Sequence, residues 1–244
     1  MKISLKINGK KVKAEQGQTI LEVAQKNGID ISALCYHPDL SVKATCRLCL
    51  VEIRGVALPQ TPLETKFLTG QTACSTLALD GMEIITESPE LAALRKTNLE
   101  LIFSQHQEEC ADCVWDKKCE LLSLAKKYKV EITRFTDRKK DFPAYAFQAP
   151  ASTNATVGKP TGEAVLQFDS SKCIDCRNCV EACEKQQVNH LKITSKNDFQ
   201  KIVPNDDNPC IYCGQCLMHC PAGAFEAESE FEGIESAFAP SFAK

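Results

Sequence analysis

The chain has 244 residues, a formal net charge of −3 and 43% hydrophobic residues. This length fits one large domain or two to three small ones. The near-neutral charge argues against a non-specific nucleic-acid binder, and no apolar run is long enough to span a membrane.

The unusual feature is cysteine, of which there are 15. An odd number cannot pair completely, and the N-terminus lacks a secretory signal. We therefore expect a cytoplasmic protein with metal-ligating cysteines, and disulfides are the alternative.

Residues 1–86 are predicted to form a small mixed α/β domain. Apolar and polar residues alternate from Ile3 to Ile7, which predicts a strand, and Asn8-Gly9 predicts a tight hairpin turn. Thr19 and Glu22 have capping-box spacing and predict a helix start. Further strand candidates are Leu48–Ile53 and Met82–Thr86. Strand, hairpin, helix and then a cysteine-bearing loop is the order of a β-grasp ferredoxin domain.

The rest of the chain is predicted to contain two more domains. Residues 87–140 are helical, with Pro89 at the first position of one helix and a second helix after Cys119. Residues 141–163 are rich in Pro, Ala, Thr and Gly, a linker composition. Residues 164–227 contain a cysteine repeat and a candidate hairpin around Lys196-Asn197, and residues 228–244 form an acidic extension. The predicted fold class is therefore α+β and multidomain.

The cysteine repeat has the spacing C-x2-C-x2-C-x3-C twice, and proline follows the second copy. This pattern is typical of two-cluster ferredoxins, in which the fourth cysteine of each copy ligates the other cluster. We expect that cysteine to start a short helix and to point away from the cluster of its own copy. The rule predicts one [4Fe–4S] cluster on Cys173, Cys176, Cys179 and Cys220. It predicts a second on Cys183, Cys210, Cys213 and Cys216. Zinc bound by four thiolates is the alternative, although zinc sites usually draw two C-x2-C pairs from separate knuckles.

An N-terminal cysteine group follows the predicted helix, where a ferredoxin binds its [2Fe–2S] cluster. The group consists of Cys35, Cys46, Cys49 and Cys74. The segment from Cys46 to Glu52, CRLCLVE, resembles the N-terminal domains of [FeFe]-hydrogenases and of the large iron–sulfur subunit of respiratory NADH dehydrogenase. Those families usually place the fourth cysteine closer to the third, so Val56–Gly70 is interpreted as an insertion.

A middle group comprises His106, Cys110, Cys113 and Cys119. It resembles the [4Fe–4S] site with one His and three Cys ligands in the same two families. A neutral imidazole in place of a thiolate should raise the cluster potential. The alternative is that His106 is a surface residue and that solvent fills the fourth position. The three groups use all 15 cysteines, and His37, His190 and His219 are predicted to be loop residues or residues that support ligands.

The succession of these three units resembles the electron-input half of [FeFe]-hydrogenases, and also the small iron–sulfur diaphorase subunit of NAD-reducing multi-subunit [NiFe]-hydrogenases. The resemblance implies one [2Fe–2S] and three [4Fe–4S] clusters. It also implies a flavin- and NAD(P)-binding partner subunit and hydrogenase small and large subunits. Exchange of electrons with ferredoxin, by bifurcation, stays open.

The sequence has no nucleotide-binding fingerprint, so we expect no flavin or nucleotide on this chain and no catalytic centre. The resulting prediction is an electron-transfer subunit of an oxidoreductase complex. Two alternatives stay open. The same relay could serve a formate dehydrogenase or a complex I-like enzyme, or the chain could be a zinc-binding interaction scaffold.

Overall fold

The computed structural model describes residues 1–55, 67–106, 118–131, 135, 166–196, 199–205 and 207–227. Its contacts divide the chain into two compact units. Unit 1 comprises residues 1–36, 42–102 and 122–134, and unit 2 comprises residues 37–41, 103–121 and 135–244. Within the described residues, no helix is long and apolar enough to cross a membrane.

Unit 1 contains a five-stranded sheet with the order β2-β1-β5-β3-β4. Its strands are β1 (Lys2–Ile7), β2 (Lys10–Glu15), β3 (Leu50–Arg54), β4 (Phe67–Thr72) and β5 (Glu83–Ile85). β1 pairs with β2 antiparallel and with β5 parallel, and β3 is antiparallel to both β4 and β5. The predicted hairpin turn is confirmed, because Asn8 and Gly9 both have positive φ (51° and 78°), as a type I′ turn requires.

Helix α1 (Ile20–Lys26) buries its apolar residues in the core of unit 1. The predicted capping box is confirmed, since Thr19 Oγ1 accepts from the Glu22 N–H at 3.2 Å and Glu22 Oε2 accepts from the Thr19 N–H at 2.8 Å. Part of the segment 56–70, which the sequence analysis interprets as an insertion, is a strand. Residues 67–70 belong to β4, which pairs with β3 and leads directly to Cys74, while residues 56–66 lie outside the described part of the chain.

Helices α2 (Pro89–Phe103) and α3 (Glu120–Tyr128) begin close to the predicted positions. The apolar spacing in the sequence predicts one buried face of α2, formed by Leu91, Leu94, Leu101 and Ile102. This prediction is partly wrong, because Leu94 and Leu101 are 41% and 47% exposed. The buried row instead runs through Leu91, Arg95 and Leu99. This row has the i, i+4 spacing of one helix face, and an apolar pattern misses it because one of its members is an arginine.

The described residues of unit 2 include the cysteine repeat, two short α-helices and two small sheets. The helices are α4 (Asn178–Lys185) and α5 (Gln215–Met218). One sheet pairs β6 (Leu166–Phe168) with β9 (Phe225–Ala227). The other is the predicted hairpin, formed by β7 (Leu191–Lys196) and β8 (Phe199–Pro204). Asn197 of the hairpin turn lies outside the described residues. The expectation that the fourth cysteine starts a helix is wrong, because each helix starts one residue before the third cysteine.

Candidate iron–sulfur sites

The four cysteines of the N-terminal group come together in unit 1. All are buried: Cys35 follows α1, Cys46 lies in the next loop, Cys49 precedes β3, and Cys74 follows β4. The Cys46 N–H donates to Cys35 Sγ at 3.5 Å. A hydrogen bond from the Cys46 side chain lowers the pKa of the Cys35 thiol, and the same bond raises the pKa of Cys46.

Cys49 and Cys74 form the second pair of this group. The hydrogen bond between their side chains lowers the pKa of Cys49 and raises that of Cys74. The charge on Cys35 adds to the rise at Cys74, which indicates that the two pairs lie close to each other. Four clustered soft donors fit a [2Fe–2S] cluster, which is held by four cysteine thiolates.

His106, of the middle group, is buried, and its Nδ1 lies 2.9 Å from the carbonyl oxygen of Lys172. A carbonyl oxygen can only accept, so Nδ1 carries the proton, and in the neutral imidazole Nε2 then has the lone pair that binds a metal. Cys119 is partly exposed directly before α3. Cys110 and Cys113 lie outside the described residues, so this four-ligand set stays a prediction.

The repeat in unit 2 lines two cavities, each with four cysteines. One cavity is lined by Cys173, Cys176, Cys179 and Cys220. A second cavity is lined by Cys183, Cys210, Cys213 and Cys216. We call them the first and second cavity. Each therefore brings together three cysteines of one copy and the fourth cysteine of the other.

The donor set of each cavity, four cysteine thiols, is the set that holds a [4Fe–4S] cluster. Burial raises the pKa of Cys173 and of Cys216 to about 12 each. Iron binding at these thiols must therefore release protons.

Backbone N–H groups donate to the cysteine sulfurs around both cavities. The donors and acceptors are Asp175 to Cys173 at 3.4 Å, Tyr212 to Cys210 at 3.4 Å, His190 to Cys183 at 3.2 Å, and Ala224 to Cys220 at 3.3 Å. Such bonds stabilise thiolates and are one of the factors that set cluster potentials. Asp175 and Tyr212 occupy equivalent positions of the repeat and both have positive φ. Sequence analysis missed these donors, because a left-handed Asp or Tyr has no distinct sequence signal.

Two further features near the cysteines were also missed. Lys172, directly before Cys173, is buried, and its Nζ lies 2.6 Å from Glu226 Oε1. The rings of His37 and His219 lie with their centroids 4.3 Å apart. Because each residue is distant from its partner in sequence, no local pattern could have found these contacts.

Comparison with protein families gives three matches along the chain. Residues 1–89 match a 2Fe-2S iron-sulfur cluster binding domain. Residues 95–134 match the NADH-ubiquinone oxidoreductase-G iron-sulfur binding region. Residues 172–224 match a 4Fe-4S dicluster domain. The chain is therefore a multidomain iron–sulfur protein with a [2Fe–2S] domain and [4Fe–4S] domains, as the sequence predicted.

Curated relatives include redox enzymes of two kinds. The chain is 28% identical to an NADH-quinone oxidoreductase subunit of Rhizobium meliloti, over 91% of its own length and 24% of the relative. It is 26% identical to the gamma subunit of NAD-reducing hydrogenase HoxS of Cupriavidus necator, over 74% of its own length and 65% of the relative. It thus spans about a quarter of the first relative and about two thirds of the second.

A solved structure of NAD+-reducing [NiFe]-hydrogenase in the H2-reduced state contains a chain of the same fold. The TM-score is 0.73 with 23% sequence identity, and the match covers 93% of this chain and 88% of that chain. The predicted resemblance to the iron–sulfur subunits of NAD(P)-linked hydrogenases and NADH dehydrogenases is thereby confirmed.

Proposed function

We propose that the chain is an electron-relay subunit of an NAD(P)-linked hydrogenase complex. It would carry electrons between a flavin- and NAD(P)-binding diaphorase subunit and the hydrogenase small and large subunits. The observation that carries the proposal is the pair of neighbouring cavities in unit 2, each lined by four cysteines. A bound iron–sulfur cluster supplies one-electron transfer, and the chain's own residues bind it, set its surroundings and control its access to water.

The proposed relay has four sites. Cys35, Cys46, Cys49 and Cys74 would hold a [2Fe–2S] cluster, and His106 would complete a [4Fe–4S] site with Cys110, Cys113 and Cys119. The first and second cavities would each hold a [4Fe–4S] cluster. The clustered thiols of unit 1, the Nδ1–H tautomer of His106 and the cysteine-lined cavities support these assignments.

The proposed domain organisation follows the cluster types. Residues 1–86 would form the β-grasp domain, residues 87–140 the small helical domain with the His/Cys3 site, and residues 164–227 the two-cluster domain. The three family matches fall within or close to these bounds. Residues 141–163 and 228–244, the proposed linker and acidic extension, lie outside the described residues.

Of the two cavities, the second is the better candidate for exchanging electrons with a partner subunit. Cys213 is exposed, and the adjacent Ile211 and Tyr212 are 59% and 41% exposed. Electron transfer between proteins requires close approach of the two redox groups, so an exposed site with apolar neighbours suits a docking contact.

A second candidate function is the same relay in a complex I-like NADH dehydrogenase or a formate dehydrogenase. The similarity to the NADH-quinone oxidoreductase of Rhizobium meliloti favours the first of these. Affinity purification of the chain under anaerobic conditions separates the candidates, because the co-purifying catalytic subunits differ. A zinc-binding scaffold would give a colourless protein, whereas iron–sulfur sites absorb visible light.

The direct test of the relay is reconstitution of the complex with and without this chain. Without it, each partner should keep its activity with artificial dyes, while NAD(P)-coupled hydrogen turnover should disappear. The isolated chain should catalyse neither half-reaction. Coupled activity that continues at its original rate without the chain would show that electrons take another path.

A further inference from the structure

Arg95 is a buried cation in α2, with 1% of its surface exposed. A guanidinium has five N–H donors, and here each has an acceptor. The acceptors are Leu48 O at 3.0 Å, Leu50 O at 2.6 Å, Thr86 O at 2.7 Å, Glu87 Oε2 at 3.0 Å and Tyr128 Oη at 3.1 Å. Because all five N–H groups are hydrogen-bonded to protein acceptors, the planar guanidinium is held in one orientation.

Two of these acceptors flank a proposed cluster ligand. Leu48 and Leu50 are the chain neighbours of Cys49, and the carbonyl of Cys49 itself accepts from the Ala73 N–H at 2.8 Å. Ala73 directly precedes Cys74, another member of the same group. Three consecutive carbonyls around Cys49 are therefore fixed, two of them by Arg95.

A second side chain of α2, that of Asn98, contacts the same loop one residue before Leu48. Asn98 lies three positions after Arg95, on the same helix face, and its Nδ2 donates to the carbonyl of Arg47 at 2.8 Å. Arg47 has a positive φ of 49° in the loop between Cys46 and Cys49. Together, Arg95 and Asn98 hold the carbonyls of residues 47, 48 and 50.

We propose that Arg95 is a positioning residue for the [2Fe–2S] site, supported by Asn98, and that it fixes the loop from Cys46 to Cys49 in the conformation that binds the cluster. The inference rests on the proposed [2Fe–2S] assignment. Because Arg95 and Asn98 lie in α2, it also makes the N-terminal cluster site depend on residues beyond residue 89, where the 2Fe-2S family match ends.

The test uses the full-length holoprotein and its EPR-monitored redox titration. Arg95→Lys keeps the charge but offers three N–H donors on one nitrogen instead of five in a planar fork, so it cannot reach all the acceptors of Arg95. The reduced [2Fe–2S] cluster should therefore show altered g values and a shifted midpoint potential. The [4Fe–4S] signals should be unchanged. Asn98→Ala should give a smaller change of the same signal. Arg95→Met should lose most of the [2Fe–2S] signal, because several buried acceptors lose their donors.

The matched control is Arg54→Lys, which makes the same substitution in β3 at a side chain that is 50% exposed. It should leave the [2Fe–2S] spectrum and potential unchanged. Wild-type g values and potential in both Arg95→Lys and Asn98→Ala would overturn the proposal. If Arg95→Lys does not fold, a wild-type spectrum in Asn98→Ala alone would overturn it. Absence of a [2Fe–2S] signal in the unmodified protein would instead refute the proposed function.

Discussion

The two copies of the cysteine repeat have the same spacing and the same local backbone but different surroundings. Arg177 and Gly214, at equivalent positions, both have positive φ and precede the helix. Yet Ile174 in the first copy is 6% exposed, and its equivalent Ile211 is 59% exposed. Cysteine spacing therefore determines the shape of a ligand loop, while its solvent exposure depends on the segments packed around it.

This difference assigns different parts of the proposed relay to the two cavities. The first is lined by apolar residues such as Phe168 and Ile202, and three of its four cysteines are buried. The second has one exposed and two partly exposed cysteines. The first cavity thus suits transfer inside the chain, and the second suits exchange with a partner.

The largest expected effect is the loss of a whole cluster. It tests whether the cysteine sets are crossed, so that each cluster is held by three cysteines of one copy and the fourth cysteine of the other. Cys183→Ser should remove the cluster of the second cavity, although its neighbours in sequence line the first. Its EPR spectrum should match that of Cys216→Ser, with a loss of about four irons. Cys220→Ser should match Cys176→Ser in the same way. A Cys183→Ser spectrum that matches Cys179→Ser would show that the cysteine sets are not crossed.

The next effect concerns the unequal exposure of the two cavities. Anaerobic treatment with ferricyanide and a chelator should release about four irons from the second cavity before the first loses any, because oxidants reach exposed clusters first. The time course of iron release measures this. In Cys183→Ser the early phase should be absent. Release from both cavities at one rate would contradict the comparison.

The His106 site extends the comparison from solvent exposure to ligand charge. His106→Cys should keep a [4Fe–4S] cluster and lower its potential, by on the order of 100 mV, because an anionic thiolate disfavours the added electron. An EPR-monitored titration gives the potential, and the clusters of the two cavities are internal controls. An unchanged potential would show that His106 is not a ligand.

The smallest effect tests the shared backbone of the two loops. Gly214→Ala places a side chain at φ +69°, where no neighbouring atom lies within 4 Å of the added Cβ. The cost is therefore conformational, about 1 kcal/mol in the free energy of unfolding. Arg177→Ala is the matched control, because a residue with a Cβ already occupies that conformation. Anaerobic urea titration checks both. Equal destabilisation by the two variants would exclude this backbone explanation.

The sequence predicted most of what depends on short-range chemistry. The Asn8-Gly9 turn, the Thr19 capping box and the hairpin of unit 2 all have local causes, and the structure confirms them. Cysteine spacing predicted which thiols belong to the iron–sulfur domains. These features need only a few neighbouring residues to form, so a local pattern is sufficient to find them.

The features that the sequence missed depend on contacts between distant segments. β6 and β9 have three residues each and pair across the whole repeat, too short for a periodic signal. Arg95 occupies a core position because carbonyls of residues 48, 50 and 86 accept its N–H groups. Likewise, the different exposure of Ile174 and Ile211 follows from packing, since both copies contain the same residue at that position.

The most direct measurement of the central claim is the metal content and reducing capacity of the anaerobically purified protein. One [2Fe–2S] and three [4Fe–4S] clusters require about 14 irons and about 14 acid-labile sulfides per chain, and a reductive titration should consume about four electrons. That result would agree with a relay of four clusters. Stoichiometric zinc, or fewer than about ten irons after full reconstitution, would contradict it.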